Sequence, residues 1–232
     1  KLKEYVDTGS IKALEKEKNN PIYLFSNVYG IGPKKAKELV SKNKLKTIAE
    51  LREHQDELLN DKQKIGLKHY EDILKRIPRN EIIQYESKLK TIFKTVANKD
   101  STFQIVGSYR RGAAHSGDID IIICDPSNDV NVFHKFLDKI FEKKILIEVL
   151  SRGDVKSLGV SKLRGKPARR IDFMFTPKNE YAFAILYFTG SKDFNTIMRG
   201  HALTKKYSMN EHGMYKMQNG KKGARLKKFF PD

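Results

Sequence analysis

The sequence is poor in cysteine and contains no tryptophan. Its 232 residues include one cysteine, Cys124, which excludes a disulfide framework and a zinc finger built on cysteines. No apolar run approaches the roughly 18 residues that a membrane span needs, and no basic, apolar and small-residue signal segment opens the chain. We therefore expect no membrane-spanning segment and a reducing, intracellular setting.

Acidic residues are also few relative to basic ones. Lysine and arginine number 46 against 28 aspartates and glutamates, which gives a formal net charge of +18. This excess predicts a polyanionic partner, nucleic acid first and an anionic membrane surface second, with a merely soluble surface as the alternative. Because 39% of the residues are hydrophobic, the chain can still bury a core.

The spacing of apolar residues changes twice along the chain. Residues 1–77 predict short helices, one of them beginning at Pro33 and ending at Ser41. A longer helix follows Pro78. Residues 101–176 mix strands and helices, and residues 178–232 predict helices to about Lys206 and then a small antiparallel sheet. The predicted strands of the middle stretch are 103–106, 118–124, 145–150 and 170–175, with a helix at 132–141. This mixture favours an α/β or α+β layer.

A carboxylate pair is the most informative chemical feature. Asp118 and Asp120 are two residues apart in an isoleucine-rich strand, so their side chains share one face. Two adjacent carboxylates repel each other unless a cation lies between them, and hard divalent cations prefer oxygen ligands. Asp172, on another predicted strand, could supply a third ligand. The alternative is an Asp-x-Asp in a solvated turn, against which the flanking isoleucines argue.

A glycine-serine turn precedes the carboxylates. Gly107 and Ser108 follow a strand and open a short helix, which presents backbone N–H groups and a hydroxyl to a phosphate. Arg110 and Arg111 add positive charge and bidentate donors. A lone Gly-Ser is weak evidence, but the same turn followed by Asp-x-Asp and a later strand aspartate is typical of a nucleotidyltransferase palm.

A second glycine-rich turn lies near the amino terminus. The segment Val28–Pro33 contains Gly30 and Gly32, and the helix after it carries Lys34, Lys35 and Lys37. Such a helix-hairpin-helix allows the backbone to approach a DNA phosphate and positions DNA without reading its sequence. An ordinary Gly-Pro loop between two helices is the alternative.

Taken together, these residues resemble the family X DNA polymerases, of the DNA polymerase beta type, over nearly the whole chain. The resemblance rests on the stretches Val28–Pro33, Arg76–Arg79, Gly107–Gly112, Ser116–Asp120, Arg169–Asp172, Tyr187–Ser191 and Met198–Leu203. It implies an α+β fold with four parts. These are a remnant of a lyase domain (1–16), a helix-hairpin-helix subdomain (17–79), a catalytic palm with a mixed sheet (80–177) and an incomplete subdomain that binds the nascent base pair (178–232).

The resemblance also implies a catalytic centre. Asp118, Asp120 and Asp172 would bind two Mg²⁺ ions, for which Mn²⁺ can substitute. Asp172 would lie nearest the primer 3′-hydroxyl and could accept its proton, while Arg170 would hold Asp172 in place.

The nucleotide contacts follow from the same resemblance. Ser108, Arg111 and the backbone at Gly117 would hold the β- and γ-phosphates. Tyr187, Phe188 and Gly190 would surround the sugar, although a Tyr-Phe pair on a helix is more often part of a core. Asn195 would contact the incoming base, and Arg199 would contact the template side. Glu211 would take part in the closing motion that assembles the site. Asn195 and Arg199 share one helix face, which is equally compatible with a solvated surface.

DNA and monovalent-ion contacts are implied in the hairpin. Backbone carbonyls of Ser26, Val28 and Ile31 would hold Na⁺ or K⁺ beside the primer phosphate. The implied DNA contacts are Gly30, Gly32, Lys34, Lys35, Lys156 and Arg199.

The chain departs from the family pattern at several positions. Lys192 stands where an acidic residue is expected beside the incoming base, and His212 stands where a tyrosine is expected. Lys1 aligns with the Schiff-base lysine of the lyase domain. Since the helices that would tune this amine are missing from the sequence, we expect little lyase activity from the chain as given and an activity only in a longer protein. The chain starts at Lys1 without a methionine and stops just after the apolar pair Phe229 and Phe230, so we expect both ends to be cut.

The resemblance implies template-directed filling of short gaps in base excision repair by a monomer, with gapped or primer-template DNA and a deoxynucleoside triphosphate as partners and no membrane. The nucleus is the expected location. One alternative is a template-independent nucleotidyltransferase, which would share the palm. The other is a non-catalytic DNA-binding module, against which the presence of all three aspartates argues.

Overall fold

A computed structural model describes residues 2–9, 11 and 20–226. The chain divides into two compact units, one within residues 1–74 and one within residues 75–232. Lys1, Ser10 and residues 12–16 of the expected lyase remnant lie outside the described residues, as does the segment 227–232. The subdomain boundaries expected from the sequence stay predictions.

The first unit is helical. Its helices are α1 (Leu2–Thr8), α2 (Pro21–Ser26), α3 (Pro33–Ser41), α4 (Ile48–Glu53), α5 (Gln55–Leu58), α6 (Asp61–Lys68) and α7 (Tyr70–Leu74). The sequence determines several starts locally. Pro33 occupies the first position of α3 as predicted, and both Thr47 and Asn60 form capping boxes, with Glu50 and Gln63.

All of the described strands lie in the second unit. Its elements are β1 (Ile77–Pro78), α8 (Arg79–Lys94), β2 (Thr102–Ile105), α9 (Gly107–Arg110), β3 (His115–Ser116), β4 (Ile119–Cys124), α10 (Asn131–Glu142), β5 (Leu146–Arg152), β6 (Lys156–Lys162), β7 (Ala168–Phe175), a 3₁₀ turn (Lys178–Glu180), α11 (Tyr181–Thr189), α12 (Lys192–Thr204), β8 (Tyr207–Asn210), β9 (Gly213–Gln218) and β10 (Lys221–Arg225). The α+β class expected from the sequence is confirmed.

A five-stranded mixed sheet forms the centre of this unit. Its order is β2-β4-β7-β6-β5, in which β4 and β7 run parallel and the other neighbours antiparallel. One face packs against α8 and α10 through a phenylalanine cluster, in which the Phe136 ring lies 5.6 Å from Phe93 and 5.9 Å from Phe173. The opposite face packs against α11 through Ile122, Cys124, Met174, Tyr181 and Ala184.

The alternation along β4 decides what each face carries. Ile119, Ile121 and Ile123 belong to the α8–α10 core, so Asp120 lies on the opposite face, with Ile122. The same period places Asp172 of β7 on that face with Met174. Both carboxylates therefore share the α11 side of the sheet.

The sequence patterns miss four strands, the two-residue strands β1 and β3 and the longer strands β6 and β10, and place the start of β4 one residue early. β6 contains Gly159 among serines and lysines, so its own sequence favours a loop. It becomes a strand because β5 and β7 pair with it on both sides. Within the described ranges, no helix has the length and apolar character needed to cross a membrane.

Candidate active site

Two aspartates face each other across parallel strands. In the register of β4 and β7, Asp120 pairs directly with Asp172. Asp118 immediately precedes β4 and is partly exposed, whereas the Asp172 side chain is only 15% exposed. Asp172, which is distant in sequence, thus meets the neighbouring Asp118 and Asp120 at one point of the sheet.

Burial and mutual repulsion disfavour ionisation of this group. Burial raises the pKa of Asp120 to about 7, and the neighbouring Asp118 and Asp172 charges add to the rise. Burial also raises the pKa of Asp172, while Arg170 opposes that change. The positive charge near the site is therefore too small to balance three ionised carboxylates.

Arg170 lies between two of the carboxylates. Its Nη2 atom is 3.2 Å from Asp172 Oδ2 and 3.5 Å from Asp118 Oδ2. In the part of the chain that the structure describes, no group of three or more acidic, histidine or cysteine side chains is arranged so that it could hold a metal ion. A cation entering here would have to compete with the Arg170 guanidinium for the same oxygens.

The donor set nevertheless fits hard divalent cations. It offers carboxylate oxygens only, and Asp172 Oδ1 is buried without a hydrogen-bond partner. A buried acceptor of this kind is costly unless something binds it. Asp118, Asp120 and Asp172 are thus chemically suited to hold such an ion.

The glycine-serine turn is built against Asp120. Gly107 has a φ of +62°, and a Cβ atom there would lie 2.5 Å from Asp120 Oδ2, so that both conformation and space require glycine. The Val106 N–H donates to the Asp120 carbonyl over 2.9 Å. The Ser108 hydroxyl, at the start of α9, donates to Ser116 Oγ over 2.8 Å. These contacts place α9 next to the carboxylates.

An open cleft of about 870 Å³ extends from the carboxylates to α12. Twelve residues named from the sequence line it: Gly107, Ser108, Arg111, Gly117, Asp118, Asp120, Tyr187, Phe188, Gly190, Lys192, Asn195 and Arg199. Arg170 and Asp172 are not among its lining residues; they lie on β7, next to Asp120. Lys156 on β6 lies near enough for its charge to lower the pKa of both Asp120 and Asp172.

Two of the cleft residues are already bonded within the protein. Arg111 Nη1 donates to the Thr189 carbonyl over 2.5 Å, and Asn195 Nδ2 donates to the Tyr187 carbonyl over 2.7 Å. Both acceptors lie near the corner between α11 and α12, where Gly190 has a φ of +66° and precedes a cis peptide bond. For either side chain to contact a nucleotide with these same donors, these bonds must open or be shared.

Glu211 and His212 lie apart from the cleft, in the turn between β8 and β9. His212 Nδ1 is 2.7 Å from Glu180 Oε2 in the 3₁₀ turn that precedes α11. This pairing connects the strand hairpin to the segment that joins the sheet to α11.

The hairpin of the first unit has the expected backbone. Gly30 is exposed with a φ of +86°, and Gly32 caps α3, whose first turn carries Lys34 and Lys35. Of the carbonyls expected to hold a monovalent ion, that of Val28 accepts a bond from the Ile31 N–H over 3.0 Å. The ion site at Ser26, Val28 and Ile31 stays a prediction.

Three family models match successive parts of the chain. A fingers-domain model of DNA polymerase lambda matches residues 23–74, a DNA polymerase beta palm model matches 76–178, and a DNA polymerase beta thumb model matches 184–228. DNA polymerase lambda of Rattus norvegicus is 33% identical over 225 residues, which cover 92% of this chain and 39% of the relative. That of Arabidopsis thaliana is 31% identical over 244 residues, covering 97% and 45%. The chain belongs to the family X DNA polymerases.

This family X chain is similar to a further type of enzyme. A DNA nucleotidylexotransferase of Ambystoma mexicanum is 24% identical over 260 residues, covering 92% of the chain and 51% of the relative. The chain spans less than half the length of the two DNA polymerase lambda relatives.

The sequence analysis assigned no role to five residues of the cleft in this family X chain, of which all but Thr196 lie in the stretches that carry the resemblance: Arg76, Ser191, Thr196, Gly200 and Leu203. Arg76 is the charged member, and its Nη2 donates to the His115 carbonyl over 2.8 Å. It belongs to the Arg76–Arg79 stretch that carried the family resemblance, so its position in that stretch could have identified it.

The hairpin of this family X chain is closely packed against α6, which yields a stability prediction. Gln63 Nε2 donates to the Gly30 carbonyl over 2.9 Å, and a Cβ atom on Gly66 would clash with the Tyr29 carbonyl oxygen. Gly66→Ala should therefore lower the free energy of unfolding of this unit by about 1–3 kcal/mol. Thermal unfolding measures this loss of stability. Gly32→Ala is the control, because a methyl group added at Gly32 meets no atom within 4 Å. Equal melting temperatures for the two variants would contradict the close packing.

Proposed function

We propose that this chain adds deoxynucleotides to a primer 3′-hydroxyl under the direction of a template, at short gaps of the base excision repair type, with release of pyrophosphate. The observation that carries the proposal is the pairing of Asp120 with Asp172 across parallel strands, beside Asp118 and the Gly107 turn. This arrangement supports nucleotidyl transfer, because Asp118 and Asp120 line the same cleft as Ser108 and Arg111, the residues proposed to bind the phosphates.

The carboxylates support metal-dependent chemistry. Asp118, Asp120 and Asp172 would hold two Mg²⁺ ions, replaceable by Mn²⁺, which when bound would activate the 3′-hydroxyl and stabilise the leaving pyrophosphate. Asp172 itself is proposed to accept the hydroxyl proton, and the Arg170 guanidinium, 3.2 Å from Asp172 Oδ2, would orient that carboxylate.

The cleft residues are proposed to bind and orient the nucleotide. Ser108, Arg111 and Gly117 would hold the β- and γ-phosphates. Tyr187, Phe188 and Gly190 would surround the sugar and discriminate against a 2′-hydroxyl. The base pair would be contacted by Asn195 and Arg199, which lie four residues apart on α12 and both line the cleft.

The basic surface supports DNA as the partner. The Gly30–Lys35 hairpin, with Na⁺ or K⁺ at its carbonyls, is proposed to bind the primer backbone, and Lys156 to contact DNA near the carboxylates. The net charge of +18 gives this binding a strong salt dependence. We further propose that the protein acts as a monomer in the nucleus.

A gap-filling assay tests this function. The substrate is a duplex with a one-nucleotide gap, with and without a downstream 5′-phosphate, and each deoxynucleotide is supplied separately with Mg²⁺. Incorporation of the complementary nucleotide alone supports the proposal. Absence of extension, with DNA binding intact, would instead favour a non-catalytic DNA-binding module.

A template-independent transferase is the second candidate. The similarity to a DNA nucleotidylexotransferase, over 92% of the chain, favours keeping it. The same assay on a single-stranded primer separates the two, because a transferase extends that primer with all four nucleotides. The Asn195 and Arg199 positions in the cleft favour the templated reaction.

Lys192 yields a prediction about nucleotide selection. It is exposed at the first position of α12 and lines the cleft, so its ammonium group adds positive charge beside the proposed base site. Lys192→Asp should weaken binding of the incoming nucleotide by roughly three- to tenfold, because a like charge then faces the triphosphate. It should also change the misinsertion frequency. Single-nucleotide kinetics measure both, and unchanged values for affinity and misinsertion would exclude a role for this side chain.

A further inference from the structure

The short helix α9 needs support that it cannot provide for itself. It has four residues, and an isolated helix of this length is unstable in water. Yet it carries Ser108 and leads to Arg111, which both line the cleft and are proposed to hold the phosphates. Some other part of the protein must therefore determine where these two side chains lie.

Helical periodicity directs Tyr109 away from the cleft. Ser108 and Arg111 are three residues apart and share one face of the turn, whereas Tyr109 is displaced by about 100° from Ser108. Consistently, Tyr109 does not line the cleft and packs against the core formed by α8 and α10.

Helix α8 holds Tyr109 at two points. The Tyr109 hydroxyl donates to Glu86 Oε2 over 2.6 Å, and the Arg79 guanidinium carbon lies 4.3 Å from the centre of the Tyr109 ring. Arg79 and Glu86 are seven residues apart, about two helical turns, so they project from one side of α8. The tyrosine ring is held between them.

Arg79 also binds the end of α9 directly. Its Nη1 donates to the Tyr109 carbonyl over 2.7 Å and lies 3.5 Å from the Ala113 carbonyl, and its backbone N–H donates to the Ala114 carbonyl over 2.9 Å. The Tyr109 carbonyl lies at the C-terminal end of α9, where a cation is favoured, and the Ala113 and Ala114 carbonyls belong to the loop that follows. The same arginine thus fixes both the side chain and the backbone of the phosphate-binding turn.

We infer that Arg79, Glu86 and Tyr109 form a latch that positions the turn Gly107–Arg111 so that Ser108 and Arg111 meet the triphosphate together. This inference rests on the proposed function for the identity of the ligand. The latch residues are positioning residues, since none of the three lines the cleft. Glu86 is held in turn by Lys90, whose Nζ lies 2.7 Å from Glu86 Oε1.

The test removes one hydroxyl. Tyr109→Phe keeps the ring beneath Arg79 and deletes the bond to Glu86. We expect faster amide hydrogen exchange in residues 107–113 of the nucleotide-free protein. The KM for the incoming nucleotide should rise about three- to tenfold while kcat changes by less than about twofold. Tyr85→Phe is the matched control, because it removes a hydroxyl from a buried tyrosine of α8 and should change neither quantity.

A second variant provides a rescue. Glu86→Gln retains an acceptor oxygen for the Tyr109 hydroxyl, whereas Glu86→Ala removes it, so the glutamine variant should lie closer to wild type in both measurements. Equal effects of the two Glu86 variants, or unchanged exchange in Tyr109→Phe, would overturn the latch. Faster exchange with an unchanged KM would show a structural contact only and would overturn the positioning role.

Failure of the proposed function can be told apart from failure of the latch. Hydrogen exchange requires no catalysis. If the wild-type chain extends no primer, the dissociation constant of a fluorescent deoxynucleoside triphosphate with Mg²⁺ replaces KM as the measurement. An increase of about three- to tenfold in Tyr109→Phe would support the latch without primer extension, and an unchanged constant would overturn it.

Discussion

Asp172→Asn is expected to lower the rate of primer extension by on the order of 1,000-fold or more while leaving DNA binding intact. Asparagine has nearly the same shape as aspartate, so the packing of β7 against β4 should be preserved. It lacks the negative charge needed to hold a divalent cation and is a far weaker proton acceptor. The same loss is expected for Asp118→Asn and Asp120→Asn.

The expected size of the loss follows from the shared role of the three side chains. Asp120 and Asp172 are in register on neighbouring strands, and Arg170 contacts both Asp118 and Asp172. Residues that act as one unit give strongly non-additive losses. The double variant of Asp120 and Asp172 should therefore be scarcely less active than either single variant.

Asp138→Asn is the matched control for this series. Asp138 lies on α10, pairs with Arg152 and keeps a 65% exposed side chain, so its replacement should leave extension within about twofold of wild type. Extension is measured by single turnover on gapped DNA, and binding by anisotropy in the same salt. Wild-type extension by any one of the three aspartate variants would refute its assigned role.

A second large effect is expected on stability. Asp120→Asn should raise the melting temperature of the metal-free protein at pH 8 by several degrees, although it abolishes extension. Folding raises the pKa of Asp120 from 3.8 to about 7, chiefly through burial. The folded state therefore bears an ionisation cost that the uncharged asparagine does not have.

The pH dependence follows from proton binding in the two states. Between pH 3.8 and about 7 the unfolded chain has released the Asp120 proton while the folded chain retains it. The unfolded state then binds fewer protons, so the contribution of Asp120 to stability falls as the pH rises. The advantage of Asp120→Asn should be absent near pH 4, grow through this range and be complete above pH 7.

Asp125→Asn is a control for which we expect the opposite change in melting temperature. Asp125 directly follows β4 and is fully buried. Although burial raises its pKa, hydrogen bonds from Ser101, Ser127, Asp129 and Asn98 lower it to about 2. This carboxylate stabilises the folded state above pH 4 and loses that contribution as the pH falls toward 2. Asp125→Asn should therefore melt below wild type at pH 8, and a lower melting temperature for Asp120→Asn at that pH would contradict our account of its ionisation.

Local patterns in the sequence were sufficient for much of the fold. Pro33 predicted the start of α3, and apolar periodicity predicted β4, β7 and α10 within about two residues of their ends. The strand β6 was missed because its serines, lysines and Gly159 have little strand preference of their own. Its neighbours β5 and β7 supply the hydrogen bonds that make it a strand.

In the candidate site, too, some features follow from the local sequence and others depend on contacts between distant elements. Residue types and their spacing along the chain predicted the carboxylates and the glycine turns, because these features depend on near neighbours in sequence. Most of the other cleft residues were implied only by the resemblance to the family X DNA polymerases. Packing between distant elements determines the register that pairs Asp120 with Asp172, although 51 residues lie between them in the sequence. The same packing forms the bonds of Arg79 and Glu86 to Tyr109. Only the tertiary structure could decide these contacts, since burial and proximity, which set the pKa of Asp120 and the position of α9, arise when the sheet and its helices assemble.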